Sequence, residues 1–263
     1  MNTIHEQNFL EHGFCIIEVE NITKLTELRE KIFQKAREVI GYQGHNVEEL
    51  FNNFHNYHLE GAELNEKRMA IINYCTQHLE IGKTIYELFP QTITDFIGPD
   101  IVAQKTTNLV IQQPHDPNAE ALHRDSPANS PFEITVWLPL VDVYKTKSMY
   151  LLSLPHSKKA IELLGENYDA FVAFAKQHRQ SIEIPFGKAL FFWQGLIHGV
   201  PVNTENETRW SLNIRYKNIF SPCGTKGLIE FFDMLRLSPL TKIAFEYEKE
   251  VYTPEANTRD VPS

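Results

Sequence analysis

Three side chains stand out for the chemistry their types and spacing allow: the pair His123-Arg124-Asp125 and, well downstream, His198-Gly199. On a strand, the two-residue period places His123 and Asp125 on one face, within reach of a single metal ion. With 11 histidines in the chain, an H-x-D arises by chance in roughly one of three such sequences, so the bare pair is weak. His198 strengthens it. It follows the β-rich run KALFFW after a short loop, and that run is itself preceded by the turn Pro185-Phe186-Gly187. Two imidazoles and one carboxylate on a β scaffold form a facial triad, which holds Fe(II) and leaves three octahedral sites open for a bidentate co-substrate and dioxygen. The bland alternatives are a surface strand pair for His123 and Asp125 and a buried, backbone-bonded imidazole for His198.

Beyond His198 lies Arg209-Trp210-Ser211-Leu212-Asn213-Ile214-Arg215, whose alternation puts Arg209, Ser211, Asn213 and Arg215 on one face and Trp210, Leu212 and Ile214 on the other. The polar face is expected to look inward. A buried guanidinium needs a bidentate anion, and the distal carboxylate of 2-oxoglutarate fits Arg209, with Ser211 adding a hydroxyl. The alternative for Arg209 is an ion pair with Glu205 or Glu207. Arg215 is its rival for the co-substrate and otherwise, with Asn213, a candidate for binding the primary substrate. The same parity argument places Asn108 and Gln112 of TNLVIQQ, and Thr135 and Trp137 of FEITVWLPLVDV, on a pocket face, against structural hydrogen bonding and core packing as alternatives. His55 and His58 in FNNFHNYH suit either a lid or a solvated helix surface, and His115 and His156 receive no role.

Such a constellation needs a rigid β frame. The β-rich runs TNLVIQQ, FEITVWLPLVDV, SMYLLSL, SIEIPF, KALFFW and RWSLNIRY, separated by Pro, Gly, Asn and Asp, predict a mainly β protein with flanking helices, a jelly roll or cupin-like double-stranded β-helix. They fall within a core of residues 101–220. Residues 1–100 are expected to be mostly helical: Leu25, Leu28, Ile32, Ala36 and Val39 recur at spacings of three and four after the short apolar run FCIIE, and RMAIINYCTQHLEIGKTIYELF continues toward the turn Gly98-Pro99-Asp100. One helical insertion, 158–178, and a helical C-terminal tail, 221–263, complete a single expected domain.

Composition bounds the function. A hydrophobic fraction of 42% and a charged fraction of 22% describe a packed globular chain rather than a disordered one. The net charge of −9, with no Lys/Arg-rich block, disfavours nucleic acid and anionic membrane surfaces as partners. No apolar stretch approaches the roughly 18 residues of a membrane span, and the start MNTIHEQNFLEHGF lacks the basic and apolar regions of a signal peptide, so a cytoplasmic location is expected. Cys15, Cys75 and Cys223 are odd in number and far apart, which suits structural thiols in a reducing compartment.

The ordered set of H-x-D, His-Gly and R-x-S resembles the phytanoyl-CoA dioxygenase-like branch of the Fe(II)/2-oxoglutarate oxygenases, over Phe9 to about Pro222. FLEHGFCII before a helix is similar to that family's opening. SPFEITVWLPLVD, TKSMY and HGVPVNTENETRWSLNIRYKN resemble a bacterial subgroup associated with carbohydrate-biosynthesis clusters. The resemblance implies His123, Asp125 and His198 as iron ligands and Arg209 as the co-substrate arginine. It also implies oxidation of a C–H bond by dioxygen, with 2-oxoglutarate converted to succinate and CO2. Asp125 stands where a related halogenase would carry a small residue, which implies oxygen insertion or desaturation. The implied substrate is small and polar, a sugar or nucleotide sugar, with Lys145 and Lys147 expected near the pocket mouth. The rival readings are a cupin-like metal enzyme that does not use 2-oxoglutarate and a non-catalytic, carbohydrate-binding jelly roll.

If the triad reading holds, anaerobic protein binds one Fe(II) per chain, and His123→Ala, Asp125→Ala and His198→Ala each weaken binding strongly. Metal titration of the four proteins checks this, and undiminished binding in all three variants refutes it.

Overall fold

The computed structural model describes residues 4–251 apart from 118–120 and 127, and leaves the side chains of 248–251 undescribed. Its N-terminal part runs α1 (Ile4–His12), β1 (Phe14–Glu18), α2 (Ile22–Ile40), α3 (Val47–Asn52), α4 (Gly61–His78), α5 (Ile81–Leu88) and α6 (Pro90–Ile97). The helical spacing read in the sequence becomes α2, with Leu25, Leu28, Ile32, Phe33 and Ala36 buried along one side. Asn21 caps its start by accepting from the Lys24 N–H, and Gly41 ends it at φ 73°, a left-handed conformation that glycine adopts without strain.

There follow β2 (Ile101–Gln104), β3 (Asn108–Gln112), β4 (Glu133–Pro139), β5 (Tyr150–Leu151), α7 (Leu154–Glu166), α8 (Tyr168–His178), β6 (Gln180–Ser181), β7 (Lys188–Trp193), β8 (His198–Gly199), β9 (Arg209–Asn218), α9 (Leu228–Phe231), β10 (Phe232–Arg236) and α10 (Pro239–Val251). The strands form an antiparallel seven-stranded sheet in the order β1-β7-β4-β9-β2-β10, with β3 also paired to β9, and a three-stranded sheet, β6-β5-β8.

The parity of the long strands sorts their side chains between two cores. Ile134, Val136 and Leu138 of β4, Phe191 of β7, and Trp210, Leu212, Ile214 and Tyr216 of β9 pack with the N-terminal helices. Trp137 of β4 and Leu190 and Phe192 of β7 point the other way and pack with Met149, Leu151, Ile182 and Leu196 of the small-sheet side. Trp210 is the keystone of the helical side. It is wholly buried, stacks on Phe51 at a centroid distance of 4.3 Å, meets Phe54 edge-on and donates its indole N–H to the Phe51 carbonyl at 2.9 Å. Gly82 lets α5 approach closely: a Cβ there would sit 3.0 Å from the Ala103 Cβ, and the Gly82 carbonyl accepts from the buried Tyr216 hydroxyl at 2.6 Å.

Four sequence expectations change here. The helical insertion is two helices, because Asn167 leaves the helical region (φ −154°, ψ 116°) and caps α8 through the Ala170 N–H at 3.0 Å. The tail is not helical throughout: β10 pairs with β2, with Phe232 opposite Gln104 and buried at the sheet edge. Of SIEIPF, Ser181 alone belongs to a strand, and Ile184 makes an isolated bridge with Val143. Lys147 is not at a pocket mouth. Its side chain is wholly buried, and its ammonium donates to Asn52 Oδ1 at 2.8 Å and Glu207 Oε2 at 2.6 Å.

The thiols of Cys15 and Cys75 are buried and pushed up to about 12 by desolvation, which suits a packing role, whereas Cys223 is exposed. No helix of the described residues is long and apolar enough to cross a membrane.

Burial would raise the Glu207 carboxyl, but Lys147 and the Tyr144 hydroxyl outweigh it and hold Glu207 below the ordinary range. Stability from a depressed carboxylate is present above its unfolded-state pKa and lost as pH falls through the folded value. Glu207→Gln strands the buried Lys147 charge and costs about 1–3 kcal/mol, the partial exposure of Glu207 keeping it below the full buried-pair range. Urea unfolding at neutral and acid pH checks both the loss and its shrinkage on acidification.

Candidate metal centre

His123, Asp125 and His198 converge, each presenting a ligand atom within 4.8 Å of the others. The H-x-D segment is not a strand, contrary to the sequence reading: His123 makes a single bridge to His198, and Asp125 lies beyond it. Register is set nonetheless. The His123 N–H donates to the His198 carbonyl at 3.0 Å, the reverse bond is 2.9 Å, and the N–H groups of Asp125 and Ser126 both donate to the Gln194 carbonyl at 3.1 Å. The two imidazole centroids are 4.3 Å apart.

Tautomer follows from hydrogen bonding. His123 Nδ1 faces the Ala121 carbonyl at 2.8 Å and His198 Nδ1 faces the Leu196 carbonyl at 2.9 Å. A carbonyl only accepts, so each Nδ1 donates and each Nε2 keeps its lone pair for a metal. Asp125 divides its oxygens: Oδ1 lies 3.7 Å from His123 Nε2, while Oδ2 accepts from Arg215 Nη2 at 2.9 Å. The wholly buried Gln194 completes the clamp. In the amide orientation that satisfies both of its ends, Nε2 donates to Asp125 Oδ2 at 2.8 Å, and Oε1 accepts from Thr135 Oγ1 at 2.6 Å and Arg215 Nε at 3.2 Å. Capped on Oδ2, Asp125 offers a metal one oxygen, so the donor set is two imidazole nitrogens and one carboxylate oxygen. That set fits Fe(II) and other divalent first-row ions.

Desolvation pushes the Asp125 carboxyl up, but the charge and hydrogen bond of Arg215, aided by the two histidines, outweigh it and hold Asp125 below the ordinary carboxylate range. Behind Arg215, burial raises the Glu133 carboxyl despite the Ser130 N–H and the positive charge of Arg215, Lys217 and Lys226.

The triad opens into a cavity of about 440 Å3, lined by Asn108, Gln112, Thr135, Trp137, Arg209, Asn213 and Arg215 among others. Of the triad and pocket-face residues read from the strands, Ser211 alone is absent from the wall. It is wholly buried in β9, opposite Val110 and Pro139, with its Oγ lacking a hydrogen-bond partner. Arg209 is 2% exposed. The acids nearest to it in sequence are engaged elsewhere: Glu207 with Lys147 and Tyr144, Glu205 with Thr146. Gln112 donates to the Pro201 carbonyl at 2.9 Å, which fixes its amide and leaves Oε1 buried without a partner, as is Asn213 Oδ1. Lys145, Lys147, His55 and His58 do not line the cavity. His55 bonds Thr208 instead.

Gln194, Met149, Arg68 and Asp116 are among the residues at the site that were not read from the sequence. Gln194 sits in a turn, where strand parity gives no direction. Met149 lies beside a two-residue strand, and Arg68 and Asp116 reach the wall from α4 and a loop. The histidine four residues after Gln194 was the one nearby signal.

No protein-family model and no curated protein matches the chain. Solved structures do. EctD from S. alaskensis, in its apoform, superposes with a TM-score of 0.56 at 9% identity over 90% of this chain and 86% of that one. The non-heme monooxygenase ThoJ, also apo, gives 0.52 at 16% over 88% and 83%. HygX from Streptomyces hygroscopicus, with nickel and 2-oxoglutarate bound, gives 0.50 at 10% over 84% and 88%. The chain has their fold.

Gln194→Leu and Arg215→Met each uncap Asp125 Oδ2 and should weaken Fe(II) binding by about 10- to 100-fold, the usual cost of losing a residue that orients a metal ligand. In Arg215→Met the desolvation of Asp125 is no longer offset, so its pKa rises and the acid limb of metal binding moves to higher pH. Anaerobic Fe(II) titration across pH measures both, and parental affinity with an unmoved limb in Arg215→Met refutes the clamp.

Proposed function

We propose that the chain is a single-domain, cytoplasmic Fe(II)/2-oxoglutarate-dependent dioxygenase of the phytanoyl-CoA dioxygenase-like type, built on a jelly roll. Its reaction is hydroxylation of a small polar molecule, a sugar or nucleotide sugar, with release of succinate and CO2. The observation that carries this reading is the convergence of two imidazoles and one singly presented carboxylate oxygen on a cavity whose wall also holds the buried Arg209. When bound there, Fe(II) and 2-oxoglutarate supply the activation of dioxygen.

The chain's own residues bind, orient and exclude water. Arg209 presents a planar, permanently charged fork for the distal carboxylate of 2-oxoglutarate, while the Ser211 hydroxyl, two residues along the same strand face, lies buried behind the wall and would serve as a second donor only if the pocket opened to it. Thr135 and Trp137 on the neighbouring strand, with Asn108 and Gln112 of β3, flank the co-substrate. Trp137, Met149, Phe192 and Val200 form part of the apolar wall, which keeps water from the reacting atoms. The buried amide oxygens of Gln112 and Asn213 lack partners, and hydroxyl groups of a sugar-like substrate are suitable donors for them. HygX, which shares the fold, holds 2-oxoglutarate beside nickel, and this supports the same co-substrate here.

Arg209→Ala removes the bidentate partner of one carboxylate and should cost about 2–5 kcal/mol in co-substrate binding, as truncation of buried charge pairs does. Arg209→Lys keeps the charge without the fork and falls between. Arg215→Met, whose guanidinium is engaged by Asp125, keeps a near-parental 2-oxoglutarate affinity once metal is saturating. The measurement is anaerobic titration of 2-oxoglutarate into the Fe(II) protein, followed by the metal-to-ligand charge-transfer band. Saturation of Arg209→Ala at parental concentrations refutes the assignment. Metal binding with no 2-oxoglutarate response in the parent favours the cupin-like alternative.

A further inference from the structure

Arg68 is the arginine of the described cavity wall that the proposed chemistry does not use. It reaches the wall from the middle of α4, outside the strands β8 and β9 that supply His198 and Arg209. Its Nη2 donates to Asp116 Oδ2 at 2.8 Å, an ion pair with side chains 20% and 9% exposed. Asp116 thereby fixes the guanidinium in place. The Arg68 Nε–H is nevertheless buried without a hydrogen-bond partner. The rest of the guanidinium is reachable: its side chain is 20% exposed on the cavity wall and gives one Nη2 donor to Asp116, which leaves N–H groups that an anionic ligand can meet.

The charge of the wall points the same way. Among the described lining residues, Arg68, Arg209 and Arg215 stand against Asp116 and Asp125, a surplus of one positive charge. On the reading proposed above, Fe(II) adds two positive charges and 2-oxoglutarate two negative ones, so together they leave the balance of these described residues unchanged. The chain as a whole carries −9, so three arginines on the described wall are a local arrangement rather than a general property of the molecule.

We propose that the primary substrate carries an anionic group, a carboxylate or a phosphate, that docks on Arg68, with Asp116 positioning the guanidinium and moderating its pull. This deepens the dioxygenase reading and rests on it only for calling the ligand a substrate. Within a sugar-like class it selects sugar acids and sugar phosphates over neutral sugars.

The test is calorimetric titration of the nickel-loaded protein with matched probes: glucuronate against its methyl ester, and glucose 6-phosphate against glucose. At least one anion should bind on the order of tenfold or more tighter than its neutral counterpart, the advantage expected of a charge-assisted contact. Which pair shows the difference separates carboxylate from phosphate. Arg68→Gln should abolish the preference, Arg68→Lys keep part of it, and Asp116→Asn enlarge it. Opposite signs for Arg68→Gln and Asp116→Asn cannot both come from misfolding. A parallel 2-oxoglutarate titration keeps the two readings apart: failure there with the anion preference intact overturns the dioxygenase and leaves Arg68 an anion site. Normal 2-oxoglutarate binding with equal affinity for charged and neutral probes, a preference that survives Arg68→Gln, or no binding of any probe in the millimolar range overturns this proposal.

Discussion

The reciprocal backbone hydrogen bonds between His123 and His198 are the constraint from which the site follows. They pair two residues from distant parts of the chain in antiparallel register, which sets the imidazoles side by side and aims both toward the position that Asp125 completes. Each ring is then locked by donation from Nδ1 to the carbonyl two residues upstream. The same device on both histidines means that neither tautomer nor ring angle depends on a metal being present, so reorganisation on binding is small. The large sheet and its helices exist, from the standpoint of the site, to hold this one bridge still.

Charge placement supplies the third ligand. A carboxylate in a desolvated wall would tend to take up a proton, and Arg215 with Gln194 reverses that tendency while occupying the oxygen that would otherwise compete for a metal position. Arg215 is therefore tied to the metal centre through Asp125, although the alternation of β9 gives it the same orientation as Arg209. The two arginines share a face and a strand, but one ends at a ligand and the other in the cavity wall that the proposed co-substrate would meet.

The N-terminal helices do more than cover the sheet. Phe51 and Phe54 seat Trp210 on the hidden face of β9, and this fixes the opposite face, where Arg209 and Asn213 stand. Asn52 at the end of α3 binds the buried Lys147, which reaches on to Glu207 just before β9. From α4 the helices also contribute a charged group, Arg68, to the cavity itself. Helical packing thus determines both how β9 is held and part of the cavity's lining.

The sequence by itself determined the ligand types and the faces of the long strands. The alternation of Arg209, Ser211, Asn213 and Arg215 was legible because side chains on a strand must alternate, and His123, Asp125 and His198 because the ordered set of H-x-D, His-Gly and R-x-S is more specific than any of its parts. The α2 helix was legible for the same kind of reason, its apolar spacing and its caps being local. The rest required tertiary structure. Asn167 broke a helix that periodicity ran through, and Phe232–Arg236 became a strand because β2 offered it an unpaired edge, which no local signal records. Lys147, expected near the pocket mouth, is buried because the fold places Glu207 and Asn52 around it. Gln194, Arg68 and Asp116 reach the cavity from a turn, a helix and a loop, whose directions are set by long-range packing. Parity told that Arg209 and Arg215 face inward together; only the position of Asp125 decided which of them it would engage, because ion pairing depends on distance in space and not on order along the chain.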